Sequence, residues 1–142
     1  MTFDDAEPLI KRGDVLSLRH SLETGLDPNL SNKLGWTLLM LAAMKNGDTS
    51  VGSLLLDHGA VLDVRNKFGE TALSLAAHTG HHSFVKLLLD HGASLDGHPF
   101  GSSMESFLDW AEQYGTGSQE AMLKTREVVR NARSKSARTR PE

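Results

Sequence analysis

Cysteine is absent from this 142-residue chain. That excludes a disulfide framework, thiolate metal sites and a cysteine nucleophile, and it fits a reducing compartment. No apolar run approaches the length of a membrane span, and the opening MTFDDAEPLI is acidic where a secretory signal would be basic. A soluble, cytoplasmic chain is therefore expected. Also missing are a Ser/His/Asp arrangement, a Gly-rich phosphate loop and a zinc-hydrolase signature, so no enzyme is expected and no cofactor is implied. Net charge is a modest −3, which conceals an asymmetry. Residues 124–142 hold seven basic side chains against two acidic ones, and the preceding 123 residues hold eight against sixteen. An acidic body repels nucleic acid and steers cationic partners toward itself. The basic tail has no interleaved aromatics for base stacking, so nucleic acid is not an expected partner. Either a solvated terminal helix with a frayed end or a tail folded back onto the acidic body fits this composition.

What the chain does contain is a duplication, long enough for one domain with a real core. The seven residues LLLDHGA at Leu54–Ala60 return unchanged at Leu87–Ala93. Aligning residues 32–65 with 66–98 matches Asn, Lys, Gly, Thr, Leu, Leu-Ala-Ala and a later Gly as well. The first half of the unit is offset by 34 residues (Gly35 to Gly69) and the second by 33 (Gly59 to Gly92), so one extra residue lies in the turn between the helices of the earlier copy. Asn-Lys-x-Gly is turn chemistry. Thr37 and Thr71 suit helix starts, and the Leu/Ala positions after them give a short apolar face. A second helix buries the leucines of LLLDHGA and ends at Gly59 or Gly92 in the left-handed conformation. His58 and His91, beside Asp57 and Asp90, occupy that helix-ending slot and read as caps rather than acid–base groups.

A helix–turn–helix plus hairpin-like turn, with G-x-T-x-L-x-x-A-A-x-x-G and L-L-x-x-G-A recurring near every 33 residues, resembles the ankyrin repeat. The resemblance implies an all-α ankyrin-repeat solenoid of helix–turn–helix units joined by β-hairpin-like turns. The family's T-P-L-H is replaced by Thr37-Leu38-Leu39-Met40 and Thr71-Ala72-Leu73-Ser74. The helix-starting Pro and the His that hydrogen-bonds between repeats are therefore missing at these positions, whereas the packing residues are intact. Degenerate flanking units extend the count to four, at residues 4–31, 32–65, 66–98 and 99–131, with 132–142 expected to be a disordered basic tail. In the last unit Ser106 aligns with Thr71, Leu108 with Leu73, Leu123 with Leu88, and Trp110 with core Leu75.

In ankyrin proteins recognition runs through the concave side, and the resemblance implies a partner protein bound there. Carried onto this chain, the fingertip positions are Lys33, Leu34, Trp36, Arg65, Lys67, Phe68, Glu70 and His98. The inner-helix ends are Met44, Lys45, His78 and Thr79; the last unit adds Phe100, Gln113 and Tyr114; Lys11 and Arg12 match in the first unit. Trp36 and Phe68 flank a turn glycine where nothing in the repeat requires an aromatic. They read as a binding hot spot, or else they fold down and pack between adjacent hairpins. The cluster His78, His81 and His82 lacks an accompanying carboxylate or second shell, so no metal is expected. Small stand-alone ankyrin chains look bacterial, and a monomeric, non-enzymatic binding module is expected. The alternative is an immunity protein that neutralises a cognate bacterial toxin or effector by direct binding, its acidic body plugging a basic site.

Overall fold

A computed structural model describes residues 1–45, 48–96, 103–115 and 117–139, with the side chains of 136–139 left aside. Among the described residues eight helices run in chain order: α1 (Phe3–Arg12), α2 (Val15–Glu23), α3 (Leu38–Lys45), α4 (Thr49–Asp57), α5 (Ala72–His78), α6 (His82–Asp90), α7 (Met104–Tyr114) and α8 (Gln119–Thr139). They form four antiparallel pairs in two layers. The odd-numbered helices pack on one another as an inner layer and the even-numbered ones as an outer layer. Among the described residues there is no strand, only an isolated bridge between Ser31 and Thr37.

Position in the stack explains composition. The central inner helices have neighbours on both sides, and six consecutive residues are buried in each, Leu38–Ala43 in α3 and Ala72–Ala77 in α5. A helix covered all round has to be apolar all round. The polar exception, Ser74, stands where the family pattern has His. Its hydroxyl accepts from Thr71 N–H at 2.9 Å while Thr71 Oγ1 accepts from Ser74 N–H at 3.0 Å, a closed capping box. Ser74 therefore satisfies its own helix start rather than reaching a neighbouring repeat.

A side-chain bond between the helices of successive repeats comes instead from His81, whose Nδ1 lies 2.7 Å from the Ala43 carbonyl one unit earlier. That oxygen can only accept, so Nδ1 carries the proton. His58 and His91 are the C-caps of α4 and α6, with Nδ1 at 3.0 Å from Leu54 O and 2.9 Å from Leu87 O. Each ring thus adds a second donor to a last-turn carbonyl that also accepts the cap residue's own backbone N–H at 3.2 Å. The following Gly59 and Gly92 take φ of +95° and +94°, where a Cβ would be strained. The duplicated Asp-His pair is a helix stop.

Asn32 and Asn66 clasp their hairpins in the same way. Each Oδ1 accepts two backbone N–H groups, from Leu34 and Trp36 in one hairpin and from Phe68 and Glu70 in the next. Adjacent tips touch directly, because Lys67 N–H donates to Leu34 O at 2.9 Å.

The last unit departs from the expected register. α7 is capped by Ser103, whose Oγ accepts from Ser106 N–H, so it starts three residues before the anticipated Ser106 and gains a turn over α5. α8 is capped by Ser118 and buries Met122, Thr125 and Val129 along one face. Leu123, expected to match buried Leu88, is 61% exposed, because the outer helix sits two residues out of the anticipated alignment. α8 also continues through Thr139, so residues 132–139 are helical where a disordered tail was expected. The cause is ionic docking of one face. Arg126 pairs with Asp109 at 3.0 Å and Glu112 at 2.7 Å. One turn-pair further, Arg133 makes a bidentate contact with Glu105 (3.0 and 2.9 Å) and reaches Asp96 at 3.2 Å.

Candidate functional site

The anticipated contact residues fall into two rows, with His98 and Phe100 outside the described residues. The first row is the hairpin tips. Leu34 and Phe68 hold equivalent positions in consecutive hairpins and are 46% and 62% exposed. The Asx turns explain why: Asn32 and Asn66 consume the tip N–H groups, so the chain reverses tightly and the next side chain points outward. Trp36 behaves differently. It is half-buried and packs against the core, which is the fold-down arrangement. The pair expected to act together is thus split, with Leu34 rather than Trp36 as the exposed counterpart of Phe68.

This row is rich in cations. Lys33, Arg65 and Lys67 are all exposed, and none forms an ion pair with a carboxylate among the described residues. Of the other cations, Lys11 pairs with Glu7, Lys86 with Asp90, Lys124 with Glu120, and Arg126 and Arg133 of α8 with acidic partners, while Arg19 and Arg130 have no ion pair among the described residues. Arg12 lies at 3.6 Å from Asp14. Glu70, the acidic member of the tip row, accepts from Asn66 Nδ2 at 2.9 Å.

The second row is the C-terminal ends of the inner helices. Met44 is half-buried and Lys45 exposed at the end of α3. Thr79 is not a free group, because its hydroxyl donates to Leu75 O at 2.8 Å and also meets His81 Nδ1 at 3.0 Å. His78 and Tyr114 are brought together by a residue assigned elsewhere, Trp110. The Trp110 ring lies 5.4 Å from His78, 5.6 Å from Phe107 and 5.6 Å from Tyr114, all tilted. Expected in the core slot of Leu75, Trp110 is only half-buried, because α7 is the last inner helix described and packs on α5 alone within its layer. Tyr114 is 61% exposed and Gln113 exposed beside it. A Trp in a slot that holds Leu in another unit was the available signal that this aromatic shelf would form.

Backbone contact fixes the shelf. Gly80 has φ of +79°, and a Cβ there would lie 2.8 Å from Gly117 Cα. The α5–α6 turn and the α7–α8 connection therefore approach closer than any side chain allows, which holds His78 against Trp110. Among the described residues no group of three His, Asp or Glu could hold a metal. His81 Nδ1 is already committed to the Ala43 carbonyl. Among the described residues no helix is long and apolar enough to cross a membrane.

Recurrent helix pairs, shared caps and hairpin tips that touch one another define a stacked helical-repeat protein. The model of the family described as ankyrin repeats (3 copies) matches residues 9–116, and the chain belongs to that family. Ankyrin repeats are protein–protein interaction modules. The chain is similar to a fem-1 homolog of Drosophila melanogaster, 42% identical over 64 residues, which are 45% of this chain and 10% of the fly protein. It is also similar to the ankyrin repeat protein YahD of Escherichia coli (strain K12), 32% identical over 84 residues, or 56% of this chain and 42% of YahD. The chain thus spans less than half the length of either relative. The fourth helix pair extends beyond the matched segment.

Proposed function

We propose that this chain is a non-enzymatic adaptor that binds another protein on the edge running from the hairpin tips to the ends of the inner helices. The observation that carries the reading is the exposure of Leu34 and Phe68 at equivalent points of touching hairpins, beside cations with no carboxylate partner among the described residues. Turns need polar and flexible residues, not Leu or Phe, so the fold gives no reason for these side chains. A row of exposed apolar groups with a charged rim is the usual make-up of an interface centre. The inhibitor alternative, neutralisation of a toxin by an acidic body, gains nothing from this edge, whose tips are basic.

The test compares Leu34→Ser/Phe68→Ser with wild type in affinity capture from extracts, with circular dichroism to establish that both are folded. Loss of the captured partner from the double variant is expected. Equal recovery by two folded proteins would sink the proposal. Trp36 is a poor probe, because its packing on the core mixes stability with binding.

A further inference from the structure

We infer that the hairpin-tip edge selects an acidic polypeptide segment carrying two apolar side chains roughly one repeat apart. The inference rests on the contact surface proposed above and specifies its partner. Lys33-Leu34 and Lys67-Phe68 are the same two-residue device used twice, a cation followed by an exposed apolar side chain before a turn glycine. Direct contact between the tips, through Lys67 N–H and Leu34 O at 2.9 Å, fixes the two devices relative to each other. With neighbouring helices packed about 8–10 Å apart, the apolar groups repeat at that spacing. An extended segment, rising about 3.3 Å per residue, meets them with side chains about three residues apart.

Charge sets the rest of the specificity. Lys33, Arg65 and Lys67 have no carboxylate partner among the described residues, on a molecule whose first 123 residues carry eight basic and sixteen acidic side chains. A locally positive edge on a negative body attracts a short acidic segment that stays on the edge. It disfavours a long polyanion, which would run on over the acidic surface. Leu34 offers no ring for a base to stack on, which also weighs against single-stranded nucleic acid.

The test is selection of short random displayed peptides on the immobilised full chain, followed by fluorescence anisotropy with synthetic copies of the enriched peptides. Two variants separate the ideas: Leu34→Ser/Phe68→Ser removes the apolar surface, and Lys33→Glu/Lys67→Glu reverses its charge. Enriched peptides with excess Asp and Glu around two apolar residues are expected. Their binding should weaken about tenfold or more in the charge-reversed variant and fall with added salt. Peptides without acidic bias that depend on Leu34/Phe68 but not on the lysines would overturn this inference and leave the contact surface standing. Peptides indifferent to both variants, or no enrichment, would remove both. A labelled single-stranded oligonucleotide that binds more tightly than the peptides, and depends on the same lysines, would overturn the choice of partner.

Discussion

Gly52 lies in the middle of α4, where glycine ordinarily costs a helix about 1 kcal/mol relative to alanine. On propensity alone Gly52→Ala should stabilise the protein. The packing reverses that sign. A Cβ at position 52 would lie 2.6 and 2.7 Å from Cε2 and Cζ of Phe84, and 2.8 Å from Leu87 Cδ2. Carbon atoms pack at roughly 3.5–4.0 Å, so the ring would have to retreat by about an ångström. Leu87 is half-buried and can swing aside, but Phe84 is 0% exposed and surrounded by the core. Overpacking of this kind costs about 1–3 kcal/mol, which outweighs the helical gain and leaves a net loss of about 0–2 kcal/mol. The decisive assay is equilibrium urea unfolding followed by helical circular dichroism, for Gly52→Ala, Phe84→Leu and the double variant. Because the smaller side chain removes the clash, the two substitutions should couple favourably by about 1 kcal/mol. Stabilisation of the single variant by about 1 kcal/mol, or strict additivity in the cycle, would refute the claim that glycine is there to let α4 and α6 close.

Three further outcomes are expected. His81→Ala should cost about 1 kcal/mol by removing the donor that reaches the Ala43 carbonyl across the repeat boundary, measured by urea unfolding; an unchanged midpoint would show the bond to be dispensable. Arg133→Ala should cost no more than about 1 kcal/mol, since its partners are largely exposed, yet amide exchange should quicken selectively in the last turns of α8; uniform exchange would count against local docking. The Arg133 hydrogen bonds hold the Glu105 carboxyl below its ordinary value against partial burial that pushes it up, so this pairing stabilises the fold above the free glutamate pKa of about 4.3 and is lost as pH falls through the lower folded value. α8 protection should therefore be flat between neutrality and about pH 5 and fall below about pH 4, with a smaller fall in Arg133→Ala; loss at neutral pH would contradict the assignment.

Positions that do the same job in two copies were legible from sequence because their partners are local. Asn32 and Asn66, Thr71, and the glycines after His58 and His91 bond within a few residues of themselves, so identity of residue implies identity of geometry. Positions whose partners lie in another unit were not legible. His81 looks like any helix-start histidine until Ala43 is placed beside it. Ser103 takes the capping role expected of Ser106, and Thr125 the burial expected of Leu123, because α7 gains a turn that no offset carried from earlier units could anticipate. At the candidate site, exposure of Phe68 followed from its turn, whereas half-burial of Trp36 depended on the core beneath it. The basic residues of the tail gave the sign of charge but not its use, which depends on Arg126 and Arg133 sharing a helix face seven residues apart.

One slot in the repeat shows how position in the stack assigns a role to a residue. Asn29, Asp63 and Asp96 each stand four residues after a helix-ending glycine, Gly25, Gly59 and Gly92. Asn29 accepts from Val61 N–H at 2.9 Å and donates to Gly59 O at 3.0 Å, and Asp63 accepts from Ser94 N–H at 3.0 Å. Each joins its own hairpin to the next one, and a side chain able to accept is what the next backbone demands. Asp96 carries the same acceptor but turns it to the Arg133 guanidinium of α8 at 3.2 Å. α8 thus takes over the acceptor that earlier units direct to the following hairpin. That accounts for its cationic face. A helix packed beside an acceptor slot is held there by donors, and arginine supplies several in a fixed fork without needing a hairpin backbone.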